Sequence, residues 1–302
     1  MTVKPFLAAL AIMAGSSANL AAVPFTANFE ADQSANFVTV ISTDANSNFN
    51  YDSSTHVQEG GDPLTIPAAP GSATTKVLRM NANVTDGTSP LDAVNVYPTV
   101  TGLGSSWSMT YDVWQNYNGP AAGGSGSTQM HLFGATNANT VVAITSTAPS
   151  IAGDGFYFTM TGEGGAAADY RFYSGTGTIV ANNAGATVLG GANYNNTAAP
   201  WLAFFPTPPF ETTGAPGKAW ITVRLTVNGT NATVAIKKSG EATFTDVATA
   251  VVPATATKPF VGFSDINAGI SSTPAQVLSQ FNLIDNMLID NAPASVNEWT
   301  LY

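Results

Sequence analysis

The segment from Trp107 to Tyr173 constrains the fold of this chain more than any other. It consists of short runs in which apolar and polar residues alternate, rich in aromatic side chains and separated by clusters of glycine. Alternation with a period of two places every second side chain on the same face, which is typical of a strand with one buried face. Glycine clusters between such runs indicate turns. The segment therefore predicts an antiparallel β-sheet.

A hairpin is predicted over residues 220–237, where apolar and polar residues alternate on both sides of Asn228-Gly229. This dipeptide suits the two positive φ angles of a type I′ turn. Further strands are predicted at 36–42, 76–81, 93–97, 106–114, 128–134, 140–145, 155–161, 169–174, 243–248, 258–264 and 280–290. Many strands with uneven connections predict an all-β fold, a two-sheet antiparallel jelly-roll sandwich rather than an up-and-down barrel. The prolines within 60–75 and 195–217 predict irregular segments, because proline cannot donate to a helix or a sheet.

The composition limits the partners of the chain. Only 9% of its 302 residues are charged, and the net charge is −10. A surface that binds nucleic acid needs clustered lysine and arginine, and the sequence has no such cluster, so nucleic acid and anionic membranes are excluded as expected partners. The chain has no cysteine, which excludes disulfides, thiolate metal sites and cysteine nucleophiles.

The N-terminal segment has the three parts of a secretory signal peptide. Lys4 precedes the apolar run 6–14, and the small residues 15–18 follow. The run is shorter than the ~20 apolar residues needed to span a bilayer, and a buried first helix is the alternative interpretation. We therefore expect a signal peptide over residues 1–22, a single domain over residues 23–302, and a protein that is secreted to the extracellular space or the cell surface.

Seven segments carry a resemblance to a known family. They are FNYDSS (49–54), TTKVLRMNANV (74–84), MTYDVWQNYNGP (109–120), GSGSTQMHLFG (124–134), GEGGAAADYRFYSG (162–175), FVGFSDINAGIS (260–271) and FNLIDNMLID (281–290). In this order the chain resembles the concanavalin A-like (laminin G-like) jelly-roll domain of secreted proteins from environmental bacteria such as planctomycetes and verrucomicrobia. Many of those carry a PEP-CTERM sorting tail. Here only twelve residues without an apolar run follow Asp290, so we expect no transmembrane anchor, and release or self-association instead of membrane retention.

The resemblance implies the sandwich but little chemistry, because this fold hosts lectins, carbohydrate-binding modules, glycosidases and polysaccharide lyases. Glycosidases need two carboxylates ~5–9.5 Å apart, and no two of the six glutamates lie within four residues of each other. Gln129-Met130-His131 is similar to the Gln-x-His strand of jelly-roll alginate lyases, but the arginine-rich and lysine-tyrosine strands that accompany it there are missing. A histidine that is hydrogen-bonded or solvated on a sheet face is the preferred interpretation, and no catalytic residue is assigned.

Calcium is the cofactor that the residue types favour, because it binds carboxylate, amide and backbone oxygens. Asp285 is expected to share a strand face with apolar residues at 281, 283, 287 and 289, where a carboxylate needs either a cation or backbone N–H groups as a partner. Asp265 and Asn267 are expected to contribute further oxygens. The alternating Asp and Asn residues over 44–52 are a second candidate, although a solvated strand face explains them equally well.

Five aromatic residues are candidates for carbohydrate binding, because a pyranose ring stacks on an aromatic face and loops present such faces. They are Trp114, Tyr117, Trp201, Phe204 and Phe205. The alternative for the proline-bounded segment 200–206 is that it folds over an edge of the sandwich.

Three functions are therefore considered. The first is a secreted, non-catalytic module that binds a polysaccharide or a cell-surface glycan. The second is an extracellular structural or matrix protein that forms filaments by self-association. The third is a polysaccharide lyase or glycosidase. The absence of paired glutamates favours the first over the third, and low charge with many strands keeps the second open.

Overall fold

The structure is a computed structural model that describes residues 24–57, 65–85, 91–117, 129–143, 151–164, 168–181, 185–189, 195–265 and 279–291. The proposed signal peptide, Asn267 and the C-terminal residues 292–302 lie outside the described residues. Within them the chain forms two antiparallel sheets, called sheet A and sheet B below. This arrangement confirms the predicted all-β, two-sheet antiparallel jelly-roll sandwich.

Sheet A has the strand order β12-β15-β14-β13-β6-β17-β4-β3, and β1 pairs with β17 off this path. Its strands are β1 (Phe25–Ala27), β3 (Ala45–Asp52), β4 (Lys76–Ala82), β6 (Ser106–Asn116), β12 (Ala186–Val188), β13 (Ile221–Asn228), β14 (Asn231–Lys238), β15 (Thr245–Val251) and β17 (Phe281–Asp290). The hairpin β13–β14 turns at Asn228-Gly229, where Gly229 has a φ of 61°.

Sheet B has the strand order β2-β5-β16-β7-β9-β10-β11-β8. Its strands are β2 (Phe37–Ile41), β5 (Asp92–Pro98), β7 (Gln129–Thr136), β8 (Ile151–Ala152), β9 (Gly155–Thr161), β10 (Tyr170–Gly175), β11 (Thr178–Ala181) and β16 (Lys258–Asp265). Short 3₁₀ turns at Ser34–Asn36 and Ser53–Thr55 flank the edge strands β2 and β3.

Apolar side chains fill three layers. The main core lies between the sheets and contains, among others, Trp107, Tyr111, Phe133, Phe158 and Val223. A second cluster lies on the outer face of sheet A, and a third on the outer face of sheet B. Apolar packing therefore covers part of each outer face, whereas the outer faces of an antiparallel sandwich are commonly solvated.

The structure differs from the sequence-based prediction in several segments. Strands β1, β3, β8, β11 and β12 are not among the predicted strands. The helix α1 (Ala199–Phe204) lies in the segment predicted to be irregular. Pro200 is compatible with it because it occupies the first turn, where the backbone N–H that proline lacks would have no partner within the helix. The predicted strand over 140–145 is wrong for residues 140–143, which are not in a strand, and residues 144 and 145 lie outside the described residues.

Candidate functional site

Most of the predicted aromatic platform is packed inside the protein. Trp201 and Phe205 are 0% exposed, and Trp114 and Tyr117 are each 4% exposed. Only Phe204 is half-buried, and the Lys238 ammonium lies 4.8 Å from its ring centroid. Stacking on a sugar requires an open ring face, so the structure does not assemble these five residues into one exposed platform.

The segment around Trp201 caps the core. The Trp201 ring stacks on Tyr170 with 3.5 Å between centroids, and Phe205 lies parallel to it at 6.0 Å. Tyr170 in turn donates a hydrogen bond to the carbonyl of Gly214. These contacts support the alternative interpretation, in which this segment folds over the sandwich.

The predicted calcium ligands are not brought together. Asp285 lies on β17 of sheet A, whereas Asp265 lies on β16 of sheet B. The expectation that Asp285 shares its face with residues 287 and 289 is also wrong. Asn286 forms a β-bulge with a φ of 51°, so Met287 and Ile289 point into the main core while Asp285 stays on the outer face with Phe281 and Leu283.

Protein donors hold the Asp285 carboxylate. Its Oδ1 accepts a hydrogen bond from the backbone N–H of Asn286 at 2.8 Å, and its Oδ2 accepts one from the Ser72 hydroxyl. In the described part of the chain, no three His, Asp or Glu residues are grouped as a metal site would require. The partner that the buried carboxylate needs is thus supplied by N–H and O–H groups, which do not fit a cation cage.

A second carboxylate, which the sequence analysis did not pair with Asp285, lies beside it. Asp112 on β6 is directly opposite Asp285 in the register of the two strands. Directly opposed residues have Cβ atoms about 4.5–5.5 Å apart. Asp112 accepts hydrogen bonds from the Thr222 hydroxyl at 2.6 Å and from the Asn286 amide at 2.8 Å. Burial is the main cause that raises the pKa of Asp112, and it raises the pKa of Asp285 to about 6.

His131 belongs to the core. Its ring faces the interior between the sheets, where Nε2 lies 2.7 Å from the Tyr111 hydroxyl and Nδ1 lies 3.1 Å from the carbonyl of Gly262. Burial lowers the pKa of His131 to about 3, so the ring is neutral at physiological pH. This position supports the preferred interpretation of a hydrogen-bonded histidine, since the side chain is fully buried and both ring nitrogens have partners.

Buried amide side chains surround His131 in the core. Asn282 contacts its Nδ1 at 2.9 Å and lies opposite Gln115, while Gln129 lies two residues before His131 on β7. Within the part of the chain that the structure describes, several of their amide atoms have no hydrogen-bond partner: Gln115 Nε2, Gln129 Nε2 and Oε1, and Asn282 Oδ1. Buried polar atoms of this kind are commonly satisfied by ordered water.

The outer face of sheet B presents an aromatic row. The row crosses strands β5, β16, β9 and β10 and contains Tyr97, Phe260, Tyr157 and Tyr173. Strand β7, which lies between β16 and β9, contributes Gly134 to the row. The Tyr157 and Tyr173 rings stack with 4.5 Å between centroids. The Tyr97 hydroxyl donates to the carbonyl of Val141 at 2.7 Å, which fixes one end of the row.

A polar row lies beside the aromatic row, one pleat along the strands. In register across sheet B it contains Asn95, Gly262, Leu132, Thr159 and Arg171. Asn95 and Thr159 are 0% exposed, yet both amide atoms of Asn95 and the hydroxyl of Thr159 have no hydrogen-bond partner among the described residues. The strand spacing places them about 14 Å apart, three inter-strand steps.

Gly262 makes room for the Asn95 amide. A Cβ at this position would clash with the Asn95 side chain and with the carbonyl of Val94. At the other end of the row Arg171 donates from Nε to the carbonyl of Ala168 at 2.8 Å. This row is not among the sequence-based predictions. The polar residues of β5 and β9 in an otherwise apolar alternation are the only signal for it in the sequence.

Comparisons with known proteins give no family. No family model matches the chain, and no curated protein matches it. Among the solved structures that are similar in fold is lectin UEA-II complexed with galactose, which is 11% identical over 89% of this chain and 98% of that chain, with a TM-score of 0.46. A protein of unknown function with a galectin-like fold from Bacillus subtilis is 8% identical over 89% of this chain and 96% of that chain, with a TM-score of 0.44. The Ca²⁺-bound VIP36 exoplasmic/lumenal domain is 11% identical over 75% of this chain and 83% of that chain, with a TM-score of 0.42. At these values the likeness carries no conclusion about a ligand. Among the described residues, no helix has the length and apolar character to cross a membrane.

Proposed function

We propose that this protein is a secreted, non-catalytic carbohydrate-binding module, and that the polar row on the outer face of sheet B, whose Asn95 and Thr159 are buried in the structure, becomes uncovered to contact the saccharide. The observation that carries this proposal is the pair of buried side chains, Asn95 and Thr159, whose polar atoms find no hydrogen-bond partner among the residues that the structure describes. A buried polar atom without a partner costs about 1–3 kcal/mol, and these two side chains place three such atoms on one face, where the hydroxyl groups of a saccharide would satisfy them.

The chemistry of the row suits sugar hydroxyls. A carboxamide offers two donors and an acceptor, and a threonine hydroxyl both donates and accepts, which matches hydroxyl groups that also do both. The neighbouring aromatic row of Tyr97, Phe260, Tyr157 and Tyr173 supplies apolar surface next to these groups. A span of about 14 Å between the two polar side chains, three strand spacings, accommodates an oligosaccharide more readily than a single sugar.

A glycan array of neutral and acidic oligosaccharides tests the proposal, followed by calorimetric titration of the strongest binder with Asn95→Ala. We expect the variant to lower the affinity at least tenfold, about 1.4 kcal/mol. Asn231→Ala is the matched control, because Asn231 is an exposed asparagine on β14 of the other sheet. Binding that is unchanged in Asn95→Ala, or no binding to any glycan, would contradict the proposal.

A structural protein that self-associates is the second candidate, favoured by the edge of sheet A. The eight-residue strand β3 is the last strand of that sheet in the described part of the chain, with Asn46, Asn48 and Asn50 exposed. It contains no proline or lysine that would block pairing with another strand. Ordered assemblies in electron microscopy of the purified protein would support this candidate, and a monomer at high concentration would count against it.

A further inference from the structure

The segment over residues 65–72, called the strap below, covers the apolar cluster on the outer face of sheet A. Ile66 and Ala69 of the strap are buried in this cluster together with Trp114 and Trp220. The Trp220 Nε1–H donates to the carbonyl of Pro67 at 2.9 Å. The two tryptophan rings are 5.9 Å apart, and each residue is 5% exposed or less beneath the strap.

The other end of the strap is held by the acid pair Asp112 and Asp285. The Ser72 hydroxyl donates to Asp285, and the Asn286 amide bridges the Pro70 carbonyl at 3.1 Å and the Asp112 carboxylate at 2.8 Å. This end of the strap thus depends on hydrogen bonds to two carboxylates that lie opposite each other on adjacent strands.

The charges around the pair are mostly negative. Glu30, which accepts a hydrogen bond from Thr74, adds a third negative charge that acts on Asp285, and Asp112 itself acts on Asp285 in the same sense. Lys237 on β14 is the cation that acts on Asp112. Two buried carboxylates in such surroundings cannot both ionise without cost, because like charges at this separation repel and burial disfavours each charge.

We propose that the strap is a pH-dependent cover, closed over Trp114 and Trp220 while the acid pair holds a proton and opening as the pair becomes fully ionised. Opening hydrates both carboxylates and relieves their repulsion. It also exposes a pair of adjacent tryptophan rings, which are large apolar surfaces with a polar N–H at one edge.

The direction in which pH changes the ratio of open to closed molecules follows from proton linkage. Burial and the neighbouring Asp112 raise the pKa of Asp285 to about 6 in the closed form, whereas a hydrated aspartate has the ordinary value of 3.8. The closed form therefore binds the proton more tightly. Between about pH 4 and pH 6 the ratio of open to closed molecules should rise, in total by roughly a hundredfold, and it should be constant on either side of this window.

Hydrogen–deuterium exchange of the full chain at pH 4.5 and pH 7.5 measures this ratio, after correction for the intrinsic exchange rates. We expect protection of the strap amides to fall between the two pH values in the wild type, with no comparable change in β13 and β14. Asp285→Asn, which carries no titratable proton, should hold the strap closed at both pH values. Asp246→Asn is the control, because Asp246 is exposed on β15.

Asp112→Asn provides a second reading if Asp285→Asn does not fold, because it removes the repelling charge and should also reduce the pH dependence. Ser72→Ala should raise strap exchange at both pH values, since it removes a hydrogen bond of the closed form. Strap protection that does not change with pH in the wild type, or that changes equally in the wild type and in both aspartate variants, would overturn the proposal.

Discussion

Two pairs of buried polar residues, one on the outer face of each sheet, differ in their hydrogen bonding. On sheet A, the carboxylates of Asp112 and Asp285 each accept two hydrogen bonds from protein donors. On sheet B, the side chains of Asn95 and Thr159 are also buried, but their polar atoms have no hydrogen-bond partner in the described part of the chain. Because paired groups stabilise the fold and unpaired ones cost free energy, the face of sheet A serves structure, and that of sheet B is the better candidate for binding.

The largest effect should come from Trp220→Ala on sheet A. This change removes the ring contact with Trp114 and the hydrogen bond to Pro67, and it leaves a cavity beneath the strap. Replacing a buried tryptophan by alanine costs about 3–5 kcal/mol. Chemical denaturation measures the loss. Trp220→Phe should retain most of the stability, and a loss under 1 kcal/mol for Trp220→Ala would show that the strap does not pack on this face.

The second largest effect should be the pH dependence of stability that Asp285 on sheet A causes. The folded state raises the pKa of Asp285 to about 6 from 3.8, so it binds the proton more tightly than the unfolded state. The free energy of unfolding contributed by this group is therefore complete below about pH 4 and falls as the pH rises to about 6, by at most ~3 kcal/mol.

Carboxylates whose pKa values are lowered in the folded state, such as Asp154, have the opposite effect on the free energy of unfolding, because their contribution is lost as the pH falls. The relevant quantity is therefore the difference between the wild type and Asp285→Asn in denaturation curves from pH 4 to pH 7. We expect this difference to grow with pH in favour of the variant. A difference that does not depend on pH would mean that Asp285 is not buried beside a second carboxylate.

Threonine-to-valine substitutions on the two faces should change stability in opposite directions. Thr222→Val deprives the buried Asp112 carboxylate of a donor at 2.6 Å and should cost about 1–2 kcal/mol. Thr159→Val removes a buried hydroxyl without a partner and should be neutral or stabilise by up to ~1 kcal/mol. Thermal unfolding of both variants side by side checks this, and the same sign for both would remove the distinction between the faces.

The sandwich could be predicted because its strongest signals are local. The alternation around Asn228-Gly229 predicted the β13–β14 hairpin over 220–237, and the structure has its strands at 221–228 and 231–238. The acid pair could not be predicted in this way. Asp112 and Asp285 lie on strands far apart in the chain, and the bulge at Asn286, which decides the face of every later residue in β17, interrupts a regular pattern.

The burial of the aromatic candidates for carbohydrate binding could not be predicted from local sequence either. Trp114 and Trp201 were placed beside loops by the sequence, but long-range packing against Trp220 and Tyr170 buries them. For the polar row on sheet B the local sequence shows only single polar residues in otherwise apolar strands, and Asn95 and Thr159 come onto one row only through the pairing of β5, β16, β7 and β9.

Removing calcium should have the smallest effect on the stability difference between the wild type and Asp285→Asn. Protein N–H and O–H groups already satisfy Asp285, so removing divalent cations with a chelator should shift the melting temperature of the wild type and of Asp285→Asn equally. Differential scanning calorimetry with and without excess EDTA tests this expectation. A chelator effect present in the wild type and lost in the variant would restore the sequence-based prediction of a calcium ligand at Asp285.

The most direct test of the binding surface measures stability and affinity in the same variant. Thr159→Val is expected to keep or raise the melting temperature and to weaken binding of the best array glycan by about tenfold, ~1.4 kcal/mol. Thr226→Val, a half-buried threonine on the outer face of sheet A, is the control and should leave binding unchanged. Unaltered affinity in Thr159→Val, with a raised melting temperature, would contradict the account, because the unpaired hydroxyl would then be a cost of folding without a role in binding.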